Sequence, residues 1–171
     1  MTIAPSSCRP SAEVVERWMT QYGTDVKRLC LMLLRDLPLA EDAAQESFLK
    51  AWRGYGAFRR DASEKTWLMH IAVNVCRDML RTSWFRRFDR RVIPEELPLT
   101  AEPGLPDPTL AQAIMSLPLR QREAILLRYW QGMSIEEIAL ALRCSENTVK
   151  SCLQRGKRKL KEQLERWYFD E

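Results

Sequence analysis

Hydrophobic residues recur every three or four positions along most of this chain, a spacing that predicts α-helices rather than strands. A first helix is indicated by apolar positions at this interval: Trp18, Tyr22, Val26, Leu29 and Leu33. Ser11 precedes it as a candidate N-cap, Gly23 weakens it, and Pro38 ends it or lies just beyond its end. A second helix is predicted over residues 39–52, and its buried face consists of Ala44, Phe48, Ala51 and Trp52.

The opposite face of the second predicted helix is mostly polar: Asp42, Gln45, Glu46, Leu49 and Arg53. Carboxylates near the start of a helix also suit the positive end of its dipole. Taken alone, such a face is most simply an ordinary solvated surface.

A third helix is predicted to start near Thr66 and to run through the segment WLMHIAVNVCRDML. One side of it is apolar: Leu68, Ile71, Ala72, Val75 and Met79. The other side is polar: His70, Asn74, Arg77, Asp78 and Arg81. The preceding loop, FRRDASEK (58–65), combines an aromatic residue with adjacent arginines and small residues.

Prolines divide the chain into two halves. Of the nine prolines, five lie between Pro94 and Pro108, where they disfavour helix and predict an extended, flexible linker. The sequence therefore predicts an all-α fold of two small helical domains, residues 11–88 and 109–168, joined by a Pro-rich linker over residues 89–108.

The second half shows the pattern of a helix-turn-helix. A helix over 117–132 has Pro118 near its first turn and Gly132 as its stop, and Ser134 with Glu137 forms a capping box for the next helix. The apolar stripe of that helix consists of Ile135, Ile138, Ala139 and Leu142. Residues 143–145 break it, and Ser145 is placed to cap the last helix.

The last predicted helix has one apolar edge and one cationic edge. Val149, Leu153, Gly156 and Leu160 form the apolar edge. The other edge presents Asn147, Lys150, Ser151, Gln154 and Arg158, with Arg155 beside them. In a helix-turn-helix such side chains reach base edges and phosphates in the major groove. The alternative is that this edge is a solvated basic face of a helical bundle. The capping box, the apolar stripe of the preceding helix, the break at 143–145 and the cap at Ser145 together favour DNA binding.

Composition excludes several other classes of protein. The net charge of +4 and the pI of about 8.9 are only mildly basic, and no apolar run approaches the roughly 18 residues of a membrane span. The N-terminus has no apolar core of the signal-peptide kind, so a cytoplasmic location is predicted.

The five cysteines contain no CxxC pair, and with one histidine they predict reduced thiols and no metal site. QRGKRK lacks the glycine and hydroxyl of a phosphate loop.

Three segments resemble, in order, the hallmark regions of bacterial extracytoplasmic-function (ECF) sigma factors. They are EDAAQESFLKAW (41–52), TWLMHIAVNVCRDML (66–80) and the run from LPLRQREAILLRYWQG (117–132) through residue 160. The resemblance spans most of residues 14–165. It implies an N-terminal domain that binds the polymerase β′ clamp helices and the promoter −10 element. It also implies a C-terminal domain that docks on the β flap and reads the −35 element.

The resemblance also implies roles for individual residues. Core polymerase binding falls to Asp42, Gln45, Glu46 and Leu49. Binding of the −10 element falls to Phe58, Arg60, Asp61, Thr66, Trp67, Asn74, Arg77 and Arg81, with Arg86 and Arg87 also tracking phosphates. Binding of the −35 element falls to Thr148, Lys150, Ser151, Gln154, Arg155 and Arg158. Trp67 suits either core packing or the rim of a base pocket, and His70 is interpreted as a polar surface residue.

Three departures from the family pattern leave base preference open: Arg60, Glu64 and Gln154. The function expected is that of an initiation factor without catalytic residues, cofactor, metal or small-molecule substrate, monomeric when free. Its expected partners are core RNA polymerase, promoter DNA and an anti-sigma factor, typically membrane-bound. No additional inhibitory, middle or C-terminal region is expected. Two alternatives are a one-component helix-turn-helix regulator, which needs a dimerisation surface and sensor pocket, and a nucleotide-handling enzyme, which needs a catalytic cluster.

Overall fold

The structure, a computed structural model, describes residues 9–82 and 106–169, with the backbone alone for 166–169. Those residues form seven α-helices and no strand, as the periodicity predicts. The helices are α1 (Ala12–Leu34), α2 (Leu37–Gly54), α3 (Glu64–Arg81), α4 (Pro108–Ser116), α5 (Leu119–Ile125), α6 (Ile135–Leu142) and α7 (Glu146–Phe169). Most of the predicted linker, together with Arg86 and Arg87, lies outside the described residues.

The first three helices pack around a common core. Its fully buried side chains include Trp18, Leu29, Met32, Leu33, Leu68 and Met69. Arg35 closes α1 in the left-handed conformation at φ 60°, and the Asp36 side chain accepts the Leu39 amide at 2.9 Å to cap α2. Pro38 therefore lies in the first turn of α2, where a missing amide costs nothing. Ser11 occupies the N-cap position of α1, as predicted, but its side chain makes no capping hydrogen bond there.

The second group of helices begins with an element that the periodicity did not predict. Helix α4 is only nine residues long, and its signal is local: Asp107 accepts the Thr109 amide at 2.9 Å and Pro108 occupies the first turn. Helix α5 starts after Pro118 and continues into a π-helical turn, Leu126–Trp130. Gly132 follows at φ 70°, a conformation that glycine adopts without strain, and ends the segment as predicted.

The helix-turn-helix caps form as the sequence predicts. Ser134 donates its amide to Glu137 Oε2 at 2.8 Å, and Glu137 donates its amide to Ser134 Oγ at 3.1 Å, which completes the capping box. Arg143 ends α6 in the left-handed region, and Ser145 Oγ accepts the Thr148 amide at 3.1 Å to start α7.

The two groups of helices also pack against each other. Helix α3 lies against α6, and α1 contacts α4 and α5, so that the buried apolar side chains form one continuous cluster. None of the described helices is long and apolar enough to cross a membrane.

Candidate nucleic-acid interface

Helix α7 presents its polar edge to solvent along the first four turns. All six residues predicted for −35 binding are exposed there: Thr148, Lys150, Ser151, Gln154, Arg155 and Arg158. Val149 and Leu153 are buried on the opposite edge, so the orientation of the helix is set by its apolar residues. Lys150 lies 3.7 Å from Glu146 and Arg158 lies 3.9 Å from Glu162, and these exposed ion pairs are weak enough for phosphates to replace.

The close packing of α7 on α5 depends on a glycine. A Cβ at Gly156 would lie 2.9 Å from Ile125 Cγ1 and 3.6 Å from Gln121 Cβ, both on α5. The absence of a side chain therefore lets the two helices approach closely while the polar edge of α7 stays outside.

The polar face of α2 is accessible. Asp42, Gln45 and Leu49 are exposed, and Leu49 retains 46% of its accessible surface, a large value for an apolar side chain. Glu46 is half-buried beside a surface groove that α2 and α3 form. Within residues 9–82 and 106–165, none of these four side chains forms a hydrogen bond or ion pair with the protein.

Three aromatic residues support the loop before α3. Phe58 stacks on Trp67 with ring centroids 4.6 Å apart, and Trp67 meets the buried Trp18 edge-on at 5.7 Å. Trp67 therefore packs on the core, which is one of its two interpretations, and it also stacks on Phe58; its role at the rim of a base pocket stays a prediction. Its half-buried ring lies at the border of the loop.

The loop itself is anchored to α1 and α3. Arg60 is exposed at φ 59°, a left-handed conformation that explains why glycine would also fit there. Glu64 forms a two-point ion pair with Arg17 at 2.7 and 2.9 Å, and that hydrogen bonding lowers the pKa of Glu64. Ser63 Oγ accepts the Thr66 amide at 3.0 Å, so α3 begins two residues earlier than predicted.

The predicted −10 residues divide into two groups. Phe58, Arg60 and Asp61 lie in or next to the loop, Asn74 is half-buried, and Arg81 is exposed at the end of α3. Thr66 and Arg77, by contrast, contact the second group of helices. Arg77 binds the buried carboxylate of Glu123 through Nε and Nη2, each at 2.6 Å, so in this arrangement it faces protein rather than phosphate.

The prediction that His70 is an ordinary surface residue is wrong. Its side chain is half-buried, and Nε2 is buried without a hydrogen-bond partner within the described ranges. Burial lowers the pKa of His70, and the positive charges of Arg143 and Arg77 lower it further. Arg77 lies seven residues ahead of His70 on the same polar side of α3, which the helix pattern indicates, whereas Arg143 approaches only through tertiary packing.

The thiols behave as packing residues. Cys30 and Cys76 are buried, and Cys144 and Cys152 are half-buried, as expected; all four are free. A hydrogen bond with Cys30, together with burial, raises the pKa of Cys76 well above its usual value, which disfavours a reactive thiolate. Among the described residues, no three histidine, cysteine or acidic side chains cluster in a way that could hold a metal ion.

Comparison with known proteins assigns the chain to a family. The family models "Sigma-70 region 2" and "Sigma-70, region 4" match residues 18–86 and 109–160. The ECF RNA polymerase sigma factor SigM of Mycobacterium tuberculosis is 34% identical over 142 residues, which cover 82% of this chain and 71% of that protein. The ECF RNA polymerase sigma factor SigX of Bacillus subtilis is 31% identical over 163 residues, which cover 84% of this chain and 80% of that protein. The chain is an ECF sigma factor.

Other relatives agree with this ECF assignment. The RNA polymerase sigma-H factor of Pseudomonas aeruginosa is 31% identical over 160 residues, which cover 85% of this chain and 83% of that protein. As an ECF sigma factor, the chain binds core RNA polymerase and directs transcription initiation at promoters.

Solved structures share the fold of this ECF sigma factor. RpoE of Bartonella quintana, solved in complex with the anti-sigma factor NepR, superposes with a TM-score of 0.73 at 24% identity, covering 90% of this chain and 98% of that one. CnrH, solved with the cytosolic domain of CnrY, superposes with a TM-score of 0.68 at 24% identity, covering 91% and 90%.

Proposed function

We propose that this ECF sigma factor divides promoter recognition among three surfaces. The exposed face of α2 binds core polymerase, the loop before α3 and the polar side of α3 read the −10 element, and the first turns of α7 read the −35 element. Polymerase supplies the catalytic chemistry, so the chain itself is not an enzyme and acts in the cytoplasm, where its partners are.

The exposed edge of α7 carries the proposal. Six side chains able to contact bases or phosphates lie on one solvent-facing edge of α7. The helix before it in the chain, α6, starts at a capping box. A solvated bundle helix has no need for such a supporting helix, whereas major-groove binding requires one to present the next.

The −10 surface rests on the aromatic stack and on Asn74. Phe58 is held half-exposed by Trp67 next to two exposed polar residues, Arg60 and Asp61. An aromatic ring and a side-chain amide are the groups that hold a base taken out of the helix stack. Promoter melting would then be driven by binding of unstacked bases, without nucleotide hydrolysis by this chain.

Restraint by an anti-sigma factor is part of the proposal. Two solved proteins with the same fold were obtained with a partner: RpoE with an anti-sigma factor and CnrH with the cytosolic domain of CnrY. A partner helix covering the exposed α2 face, including Leu49, would compete directly with polymerase.

Run-off transcription with purified core polymerase on genomic fragments tests the assignments. Lys150→Ala is expected to weaken promoter binding by about tenfold, the usual cost of one lost groove or phosphate contact. Asn74→Ala is expected to leave promoter binding largely intact but to reduce opening, which permanganate reactivity of unpaired thymines reports.

Matched variants distinguish these roles from general damage. Lys161→Ala removes another exposed lysine of α7, far from its first turns, and Gln21→Ala removes an exposed amide on α1; both should initiate like the parent. If Lys150→Ala and Asn74→Ala also initiate like the parent at every promoter, the residue assignments are wrong. A stable homodimer that binds duplex DNA without polymerase would instead favour a one-component regulator.

A further inference from the structure

The end of the loop before α3 is tied to α1 by an ion pair. Arg17 donates Nη1 and Nη2 to the two carboxylate oxygens of Glu64, at 2.7 and 2.9 Å. Glu64 is the first residue of α3, so this contact lies where the loop (residues 58–63) ends. Two hydrogen bonds between a guanidinium and a carboxylate fix the orientation of both groups as well as their distance.

The other end of the loop is held by the next residue of α1. Trp18 is fully buried, and its ring lies 5.6 Å from that of Tyr55, just before the loop, and 5.7 Å from that of Trp67 on α3. Trp67 in turn stacks on Phe58, the first residue of the loop. Adjacent residues of one helix therefore support both ends of the loop, Trp18 through aromatic contacts and Arg17 through a charged one.

Between these two anchors the loop makes few contacts of its own. Arg59, Arg60 and Asp61 are exposed, and within residues 9–82 and 106–165 their side chains form no hydrogen bond or ion pair. Arg60 also adopts a left-handed backbone conformation, at φ 59°, which is unfavourable for a residue other than glycine. The order of the loop therefore depends on its two ends, and loss of either contact would let it sample other conformations.

The exposure of the ion pair suits control of the loop rather than stabilisation of the whole fold. The Arg17 and Glu64 side chains retain 42% and 26% of their accessible surface. Ion pairs in contact with solvent contribute little, about a factor of two to five in an equilibrium. A contact of this strength leaves the helical core unaffected but is large enough to bias a loop between ordered and loosened conformations.

We propose that Arg17 and Glu64 are positioning residues for recognition of the −10 element. Their ion pair keeps the loop in the conformation that presents Phe58, Arg60 and Asp61 to an unstacked base, and they act through the loop rather than by contact with DNA. A loop that is ordered before binding loses less conformational entropy when the base enters, which strengthens binding. This inference rests on the proposed role of the loop in reading the −10 element.

Binding of single-stranded DNA by the holoenzyme tests the positioning role. The probe is a labelled oligonucleotide with the non-template −10 sequence of a promoter found by run-off transcription, and a scrambled oligonucleotide of the same composition gives the non-specific affinity. Glu64→Gln keeps the side-chain size but removes the charge that both Arg17 nitrogens bind. The ratio of specific to non-specific affinity should therefore fall about two- to fivefold, while affinity for core polymerase and helix content stay at the parent values.

The matched control is Glu16→Gln. Glu16 is an exposed carboxylate beside Arg17 in α1, and this change removes the same charge from the same part of the surface. Removal of a negative charge by itself strengthens attraction to phosphates, for both oligonucleotides alike. Glu16→Gln should therefore leave the affinity ratio at the parent value. An equal fall in the two variants would mean that charge rather than loop position is responsible, and would overturn the proposal.

A charge exchange separates positioning from other losses. Glu64→Arg places two positive charges side by side and should lower the affinity ratio further than Glu64→Gln, although it adds positive charge to a DNA-binding protein. The double variant Arg17→Glu, Glu64→Arg restores an ion pair with the net charge of the parent, and it should recover most of the ratio. Failure to recover, in a protein with the helix content and polymerase affinity of the parent, would count against the ion pair as the positioning contact.

Phe58→Ala distinguishes failure of this inference from failure of the proposed function. If Phe58→Ala loses the preference for the −10 oligonucleotide while Glu64→Gln keeps the parent ratio, the loop reads the −10 element and the positioning role is overturned. If Phe58→Ala also keeps the parent ratio, the loop does not read the −10 element, and the positioning role falls with that assignment.

Discussion

Gly156 and Ile125 determine how closely the DNA-reading helix approaches its support. A methyl group at Gly156 would lie 2.9 Å from Ile125 Cγ1, nearer than packed carbon atoms come, and that atom belongs to a stiff β-branched side chain. Alanine at this position would raise the helix propensity of α7 but overpack its contact with α5.

We therefore expect Gly156→Ala to lower the free energy of unfolding by about 1 kcal/mol, since overpacking costs more than the helix propensity gained. Gly23→Ala is the matched control. Gly23 lies within α1, and a methyl group added there would meet nothing within 4 Å, so the same change should raise stability by about 0.5–1 kcal/mol. Urea unfolding measures both. Equal effects at the two glycines would show that the close approach is unimportant.

The Phe58–Trp67 stack leads to a prediction about promoter opening. Phe58→Ala removes the ring that is proposed to meet an unstacked base, and because such stacking contributes about 1–3 kcal/mol, opening should fall by about tenfold or more. Phe58→Tyr keeps the ring and should open nearly as well. Permanganate reactivity measures opening, and affinity for core polymerase should be the same in all three proteins. Equal opening by the two variants would remove Phe58 from the base pocket.

His70 predicts a pH dependence of stability. Its pKa is lowered in the folded protein, so below its usual value of 6.5 the unfolded chain takes up the proton more readily. The free energy of unfolding should therefore be unaffected by this group above that pH and fall as the pH drops below it, with a slope of at most about 1.4 kcal/mol per pH unit.

His70→Gln removes the titrating group and should flatten this part of the profile. Urea unfolding of both proteins between about pH 7.5 and about pH 5 measures the difference in slope. Parallel profiles would mean that the buried imidazole is not the source.

We expect truncation of the exposed Leu49 side chain to weaken polymerase binding without impairing folding. Its side chain is 46% exposed, so Leu49→Ala should change the free energy of unfolding little, yet loss of an apolar contact at an interface costs about 1–2 kcal/mol, which corresponds to about tenfold in affinity. Met19→Ala is the control, because Met19 is 56% exposed on α1, outside the predicted face. Fluorescence anisotropy with core polymerase measures both. Similar losses in the two variants would indicate a nonspecific effect.

The elements with strong local signals were predictable. The capping box of Ser134 and Glu137, the cap at Ser145 and the apolar edge of α7 all depend on neighbouring residues, and the structure confirms them. Helix α4 was missed because it is short, lies at the edge of a proline-rich stretch and has few periods from which to recognise a pattern. Ser11 takes the N-cap position of α1 as predicted, but a suitable residue type does not ensure that its side chain forms the capping hydrogen bond.

The sequence by itself determined every described helix except α4, the caps at Ser134 and Ser145, and which edges of α2 and α7 remain polar, because those properties depend on residues three or four positions apart. Only the tertiary structure decided that Arg77 meets Glu123 and that Arg143 adds its positive charge to the surroundings of His70. Glu123 is 46 residues from Arg77 in the chain and Arg143 ends another helix, and periodicity carries no information about which polar side will be covered when domains pack.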